Sequence, residues 1–225
     1  MPEFDGFRPE DFQDLAGSTW RGRGALGGRL AAALRGNGFP YQSWGVRRRP
    51  ELHLARPDKY AFDDPYPCAK LFVYTRSELT FGFYIECPAE TAPESEAARF
   101  VHWEYFREGL QSDEEMRMAL LGPMTSYNLT VADYYRKAKG ALGAEFRCLK
   151  GEFQSRGPGD EAWRPAKVST LLERIADLPR DQWVDLHVYA TIDRHTAVKL
   201  GANVVSRILG VLLPLSRLYE LTVAG

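Results

Sequence analysis

The stretch KLFVYTRSELTFGFYIEC, residues 70–87, carries the clearest structural signal in the sequence. Two runs rich in β-branched and aromatic residues flank a polar turn near Arg76 and Ser77. The second run alternates between two sets of positions: Leu79, Phe81, Phe83 and Ile85 against Thr80, Gly82, Tyr84 and Glu86. Successive side chains of a strand point to opposite faces, so the pattern predicts a β-hairpin with one fully apolar face.

Apolar residues at helical spacing predict helices on both sides of this hairpin. These helices cover residues 26–35, 93–110 and 168–178. The capping-box pattern at 112–115 predicts a further short helix, which Gly122-Pro123 closes. Residues 145–153 alternate like one strand, and 183–192 alternate like another. An apolar helix from about residue 196 to residue 213 completes a C-terminal helix-strand-helix unit.

Together these elements predict the α+β class, with an antiparallel or mixed sheet that contains the 70–87 hairpin and is covered by helices. Strands and helices do not alternate strictly, which disfavours a doubly wound parallel sheet. We expect one domain over residues 1–225, with a subdomain division near 122–127 as the alternative. The aromatic residues at helical spacing are interpreted as core.

Composition excludes several function classes. The chain has 225 residues, is 44% hydrophobic and carries a net charge of −1, so no global attraction draws it to nucleic acid or membrane. Three widely spaced cysteines, with no C-x-x-C, argue against a disulfide framework and a zinc site. We therefore predict no metal and no cofactor. The acidic N-terminus and the short longest apolar run, 208–215, predict a cytoplasmic protein without membrane contact.

The distribution of charge is uneven despite the small total. Residues 21–59 contain nine basic and two acidic residues, and residues 86–115 contain nine acidic and two basic residues. The basic segment also holds aromatic residues that could stack on bases, and guanidinium groups grip phosphate oxygens in pairs. The preferred hypothesis is a non-enzymatic protein that binds nucleic acid or another phosphorylated ligand. Its candidate binding residues are Trp44, Arg47, Arg48, Arg49, Arg56 and Lys59.

Two alternatives stay open. A small-molecule enzyme would use Asp185, His187, Asp193 and His195, which lie on or beside one predicted strand end. A self-associating interaction module would use the two opposed charge blocks, giving a homo-oligomer.

Two motif-like patterns do not carry a function, and two common catalytic motifs are absent. The G-x-G-x-x-G at 22–28 does not follow a strand, as a dinucleotide site requires, and is interpreted as a helix entry. No G-x-x-x-x-G-K-S/T phosphate loop and no G-x-S-x-G elbow occur. Asp58, Glu78, Glu86 and Lys70 invite comparison with metal-dependent nucleases, but the acid-x-Lys spacing is missing.

Overall fold

A computed structural model describes residues 3–12, 22–46, 49–59, 69–89, 101–135 and 141–224, without the side chains of Lys59 and Val101. The strands are β1 (Gln42–Gly45), β2 (Glu51–Ala55), β3 (Ala69–Thr75), β4 (Glu78–Cys87), β5 (Thr130–Tyr135), β6 (Ala141–Leu149), β7 (Glu152–Arg156), β8 (Arg164–Pro165) and β9 (Val184–Asp193). The α-helices are α1 (Arg23–Gly36), α2 (Val101–Ser112), α3 (Glu114–Tyr127), α4 (Val168–Ala176), α5 (Arg194–Lys199) and α6 (Val204–Val223). Short 3-10 helices cover Pro9–Phe12, Pro57–Lys59 and Gly201–Asn203.

The nine strands form one sheet with the order β1-β2-β3-β4-β9-β5-β6-β7-β8. All the pairings in it are antiparallel, which confirms an α+β fold built on a large antiparallel sheet. Strand β9 is the last in sequence but lies between β4 and β5. It therefore joins two meanders, one made of β1 to β4 and the other of β5 to β8.

The predicted hairpin is confirmed as β3 and β4, which pair from Ala69 opposite Ile85 to Thr75 opposite Leu79. Its apolar side chains belong to the main core, together with the alternating apolar residues of β9. The opposite core wall comes from α1, α2, α3, α4 and α6. The long helix α6 contacts both β3 and β4, so it covers the hairpin directly.

Two prolines that were expected to end helices lie inside them. Pro123 is buried within α3, which continues to Tyr127, and Pro214 lies within α6, which continues to Val223. A proline removes one backbone hydrogen bond, but Pro123 and Met124 are buried in α3, and most residues that follow Pro214 in α6 are buried as well. The apolar burial gained by continuing the helix outweighs that loss.

The predicted helix over 196–213 is two helices, α5 and α6, separated by the 3-10 turn Gly201–Asn203.

Other boundaries also differ from the prediction. The single strand expected over 145–153 is a hairpin of β6 and β7, because Lys150 and Gly151 turn the chain with φ values of 52° and 83°. The N-cap of α3 is Asp113, whose side chain accepts from the amide of Glu115. Ser112 belongs to α2 and donates its hydroxyl to the carbonyl of Glu108. The part of the predicted 93–110 helix that falls on residues 93–100 lies outside the described residues.

The alternative division near 122–127 falls inside α3, and strands from both sides of it enter the same sheet. Close approach of β4 and β9 depends on Gly82, because a Cβ there would lie 2.0 Å from the carbonyl oxygen of Val188. Among the described residues, none of the helices is long and apolar enough to cross a membrane.

Candidate functional site on the second face of the sheet

We call the side of the sheet that points away from the core the second face. The strand registers place one row of its side chains directly opposite one another: Lys70, Tyr84, His187, Ala132, Glu145 and Arg156. This row crosses six strands and lies in the centre of the sheet. Lys70, Glu86 and Glu145 are buried there, so the second face is not an ordinary solvated surface.

The β3–β4 side of the second face holds a network of charged and hydroxyl groups. Lys70 Nζ lies 3.4 Å from Glu86 Oε1 and 4.2 Å from the centre of the Tyr84 ring. The Tyr84 hydroxyl lies 2.8 Å from Glu86 Oε1 and 3.0 Å from Asp185 Oδ1. A hydroxyl has one proton, so Tyr84 can donate to only one of these carboxylates at a time. The network can therefore exist in two hydrogen-bonded arrangements.

A second network occupies the β5–β6 side of the same face. The hydroxyl oxygens of Tyr134 and Tyr189 are 3.5 Å apart, and Tyr189 donates to Glu145 Oε1 at 3.1 Å. Arg156 donates to the other oxygen of Glu145. Burial raises the pKa of Tyr134 to about 12, and burial together with Tyr134 and Glu145 raises the pKa of Tyr189. Both hydroxyls therefore stay protonated at neutral pH and act as donors.

His187 lies between these two networks. Its ring contacts those of Tyr84 at 4.8 Å, Tyr134 at 4.9 Å and Phe72 at 5.4 Å between centroids, all in edge-to-face geometry. Its side chain is half-buried, whereas its neighbours Tyr84 and Phe72 are buried. The imidazole is thus held by aromatic rings in the centre of the sheet and is still reached by solvent.

A further histidine, His53, lies near the β1 edge of the second face. Its Nε2 is 3.3 Å from Glu51 Oε2, and its ring meets the edge of Trp44 at 5.9 Å. Its Nδ1 is buried and has no hydrogen-bond partner among the described residues. Burial lowers the pKa of His53 to about 4, although Glu51 opposes that shift. The imidazole is therefore neutral at physiological pH.

Taken together, these groups suit acid–base chemistry on an organic molecule. The second face offers the neutral imidazole of His53, the half-buried imidazole of His187, hydroxyl groups and carboxylate acceptors, and several of these groups are buried. No group of three or more His, Cys, Asp or Glu side chains with metal-binding geometry occurs in the part of the chain that the structure describes.

The predicted enzymatic cluster is divided by the structure. Asp185 and His187 lie on the second face and join the networks described above. Asp193 instead caps α5, where its side chain accepts from the amide of Thr196 at 2.9 Å, and this contact with Thr196 lowers its pKa. His195 is exposed on α5. The structure thus brings together the first two residues and leaves the other two outside the site.

The predicted polyanion-binding residues are also dispersed. Trp44 lies on the second face against His53, and Arg56 is paired with Asp58 at 2.7 Å and Glu220 at 3.1 Å. Arg49 is exposed beside the turn between β1 and β2. The residues Arg47 and Arg48 and the side chain of Lys59 lie outside the described part. Of the nine acidic residues in the block of the self-association hypothesis, six are described and three fall within residues 90–100, which lie outside the described part.

Sequence reasoning missed most of the second-face network. Its members are Lys70, Tyr84, Glu86, Tyr134, Glu145 and Tyr189, with Glu51 and His53 beside them. Lys70 and Glu86 were considered only for a nuclease pattern that they do not fit. Alternation of polar and apolar positions is also the pattern of a sheet with one solvated face, so the sequence carried no signal that these polar groups are buried.

Acid should destabilise the protein through His53. The pKa of His53 is about 4 in the folded state and 6.5 for an unperturbed histidine, so the unfolded chain binds more protons between these two pH values. Stability should therefore fall as pH decreases from about 6.5 to 4, by roughly 3 kcal/mol for this group. Urea unfolding of the wild type and His53→Phe across this range measures the effect. If the pH slope is the same in His53→Phe as in the wild type, the assignment of the slope to His53 is wrong. Glu51, Lys70 and Glu86 are the other charged groups that act on this site.

Comparison with known proteins leaves the geometry as the only guide to function. No family model, no curated protein and no solved structure matches this chain. The functional conclusions below therefore rest on the contacts of the second face.

Proposed function

We propose that this protein is a small-molecule enzyme whose substrate binds on the second face and exchanges protons with His187. The observation that carries this proposal is the central, half-buried imidazole of His187, enclosed by Tyr84, Tyr134 and Phe72 between two networks of buried polar groups. A cluster of buried ionisable groups within hydrogen-bonding reach is the usual composition of an acid–base site.

Energetics support a functional rather than a structural role for these groups. Charged groups lose their hydration when they are buried, and ion pairing regains only part of that free energy. The core side of the same strands is filled by Leu, Val, Ile and Phe, so the chain can cover a sheet face with apolar residues. We therefore infer that the polar groups at equivalent positions on the second face bind substrate.

The residues divide the work according to their chemistry. His187 takes or gives the proton, because an ordinary imidazole changes protonation near neutral pH. Tyr84 and Tyr134 flank it, and their hydroxyl oxygens accept hydrogen bonds from substrate O–H or N–H groups, because their own protons go to a carboxylate and to Tyr189. The chain of Tyr134, Tyr189 and Glu145 provides a path along which a proton can move away from the site.

A fragment screen tests this proposal with two histidine variants. Small organic fragments that bind the wild type should shift the imidazole resonances of His187 in NMR spectra of protein labelled at histidine. His187→Phe should abolish binding of most of these fragments, because it removes the central polar group and keeps a ring of similar size. His195→Gln is the matched control, since His195 is exposed on α5 and should leave binding unchanged.

The opposite pattern excludes the proposal. Fragments that bind without shifting the His187 resonances would place the binding site elsewhere. So would fragments whose binding is kept in His187→Phe and lost in His195→Gln. A folded His187→Phe protein, checked by its near-ultraviolet circular dichroism, is needed for the comparison.

A second candidate function is polyanion binding by the arginine-rich turn between β1 and β2. Arg23 supports it, because its Nη1 donates to the carbonyl oxygens of Val46, Arg49 and Glu51 at 2.8, 2.6 and 3.1 Å. These bonds hold the backbone of Val46, Arg49 and Glu51, the described residues on either side of Arg47 and Arg48. A backbone held on both sides of a cationic segment reduces the conformational entropy that the segment loses on binding.

Salt-dependent binding of a mixed-sequence single-stranded oligonucleotide tests this second candidate. Replacing Arg47, Arg48 and Arg49 together by alanine should weaken binding and lower the slope of log K against log salt by roughly 2. Replacing the exposed Arg164, Arg194 and Arg207 by alanine is the control of equal charge. Equal losses in the two triple variants, or no binding at low salt, would exclude a role for the turn.

A further inference from the structure

The Glu51–His53 pair on the second face holds a hydrogen-bond acceptor that the described protein does not use. The Glu51 carboxylate lies 3.3 Å from Nε2 of His53, which favours the tautomer with the proton on Nε2. Nδ1 then carries a lone pair. It is buried, with His53 only 4% exposed, and no described donor reaches it. A buried acceptor without a donor destabilises a protein, so it indicates a group that binds there.

Water does not suit this position well. An ordered water needs several polar partners, but the rings of Trp44 and Phe72 flank His53. Trp44 contacts the His53 ring edge-on, and Phe72 is the cross-strand neighbour of His53 on β3. A flat, apolar molecule with one donor atom matches these surroundings better.

Charge at this position selects a neutral molecule. His53 feels the positive charge of Lys70 and the negative charges of Glu51 and Glu86. The two carboxylates outweigh Lys70 and oppose an anionic ligand, and burial opposes a ligand of either charge because the charge loses its hydration, so a neutral donor is favoured. Trp44 is half-buried on β1, the edge strand, and its ring lies beside that of His53.

We infer that His53 Nδ1 accepts a hydrogen bond from a neutral aromatic ligand that carries an O–H or N–H group, such as a phenol, held against Trp44 and Phe72. This inference rests on the proposed function, because it names the substrate class of the second face. His53 fixes the donor atom of the ring, and the remainder of the substrate extends along the face toward His187.

Phenol and anisole test the inference as a matched pair, since anisole keeps the ring and lacks the donor. A ligand of this size binds in the millimolar range, which NMR titration of histidine-labelled protein measures. Phenol should bind at least about tenfold more tightly than anisole, because anisole leaves the buried acceptor unpaired. Phenol alone should shift the Nδ1 resonance of His53.

Variants assign the preference to the imidazole. In His53→Phe the ratio of the two dissociation constants should fall to near one, whereas His195→Gln should keep the wild-type ratio. If His53→Phe does not fold, the Nδ1 resonance of the wild type still decides the assignment.

The outcomes separate this inference from the proposed function. Equal binding of phenol and anisole, or an unshifted Nδ1 resonance, overturns the inference, and fragments that still perturb His187 then leave the proposed function standing. Failure of phenol to bind at millimolar concentration likewise overturns the inference. If, in addition, none of the screened fragments perturbs the second face, the proposed function fails as well.

Discussion

The antiparallel pairing of β4 with β9 is the constraint on which the rest of the structure depends. It runs from Glu78 opposite Asp193 to Cys87 opposite Val184 without a shift in register. Strand β9 also pairs with β5, so it connects two meanders that are far apart along the chain. The register fixes which side chains meet, because a slip of one residue would exchange the two faces of β9.

This single register creates both faces of the central sheet. On the core side it aligns Phe83 with Val188, and through β5 it aligns Val188 with Val131. On the second face it aligns Tyr84 with His187 and Glu86 with Asp185. The hydrophobic side supplies the driving force that holds the strands together. That stability allows the other side to carry buried polar groups that a weaker fold would not tolerate.

The two networks meet only because β9 lies between them. Lys70 and Glu86 come from β3 and β4, whereas Tyr134 and Glu145 come from β5 and β6. On β9, His187 contacts both Tyr84 and Tyr134, whereas Tyr189 belongs to the network on the β5–β6 side. A site assembled from distant segments in this way is rigid, because each of its members stands on a hydrogen-bonded strand rather than on a loop.

Sequence patterns predicted those parts of the fold that depend on local alternation. The β3–β4 hairpin and β9 were found because apolar residues occupy every second position, as at Phe81 and Val188. The insertion of β9 beside β4 was not predictable, since it depends on long-range register. The same limit applies to the site: His187 was identified as a second-face residue, but Tyr84 and Tyr134 become its neighbours only after the strands pair.

The prediction of two helix ends was wrong for a related reason. Pro123 and Pro214 are local signals for helix termination, and tertiary burial overrides both, of Pro123 and Met124 in α3 and of most residues after Pro214 in α6. In the arginine-rich segment as well, the composition did not predict where the side chains lie. Its composition is strongly basic, yet Arg23 and Arg56 donate hydrogen bonds to the protein's own carbonyl and carboxylate oxygens.

The stability of Lys70→Met/Glu86→Leu tests most directly whether the second-face polar groups serve substrate rather than folding. Both side chains are buried, and apolar residues of similar volume can fill their places. If the groups serve substrate, the free energy of unfolding measured in urea should stay within about 1 kcal/mol of the wild type or increase. A loss of roughly 3–5 kcal/mol would show that the pair holds the sheet together, and would contradict the account.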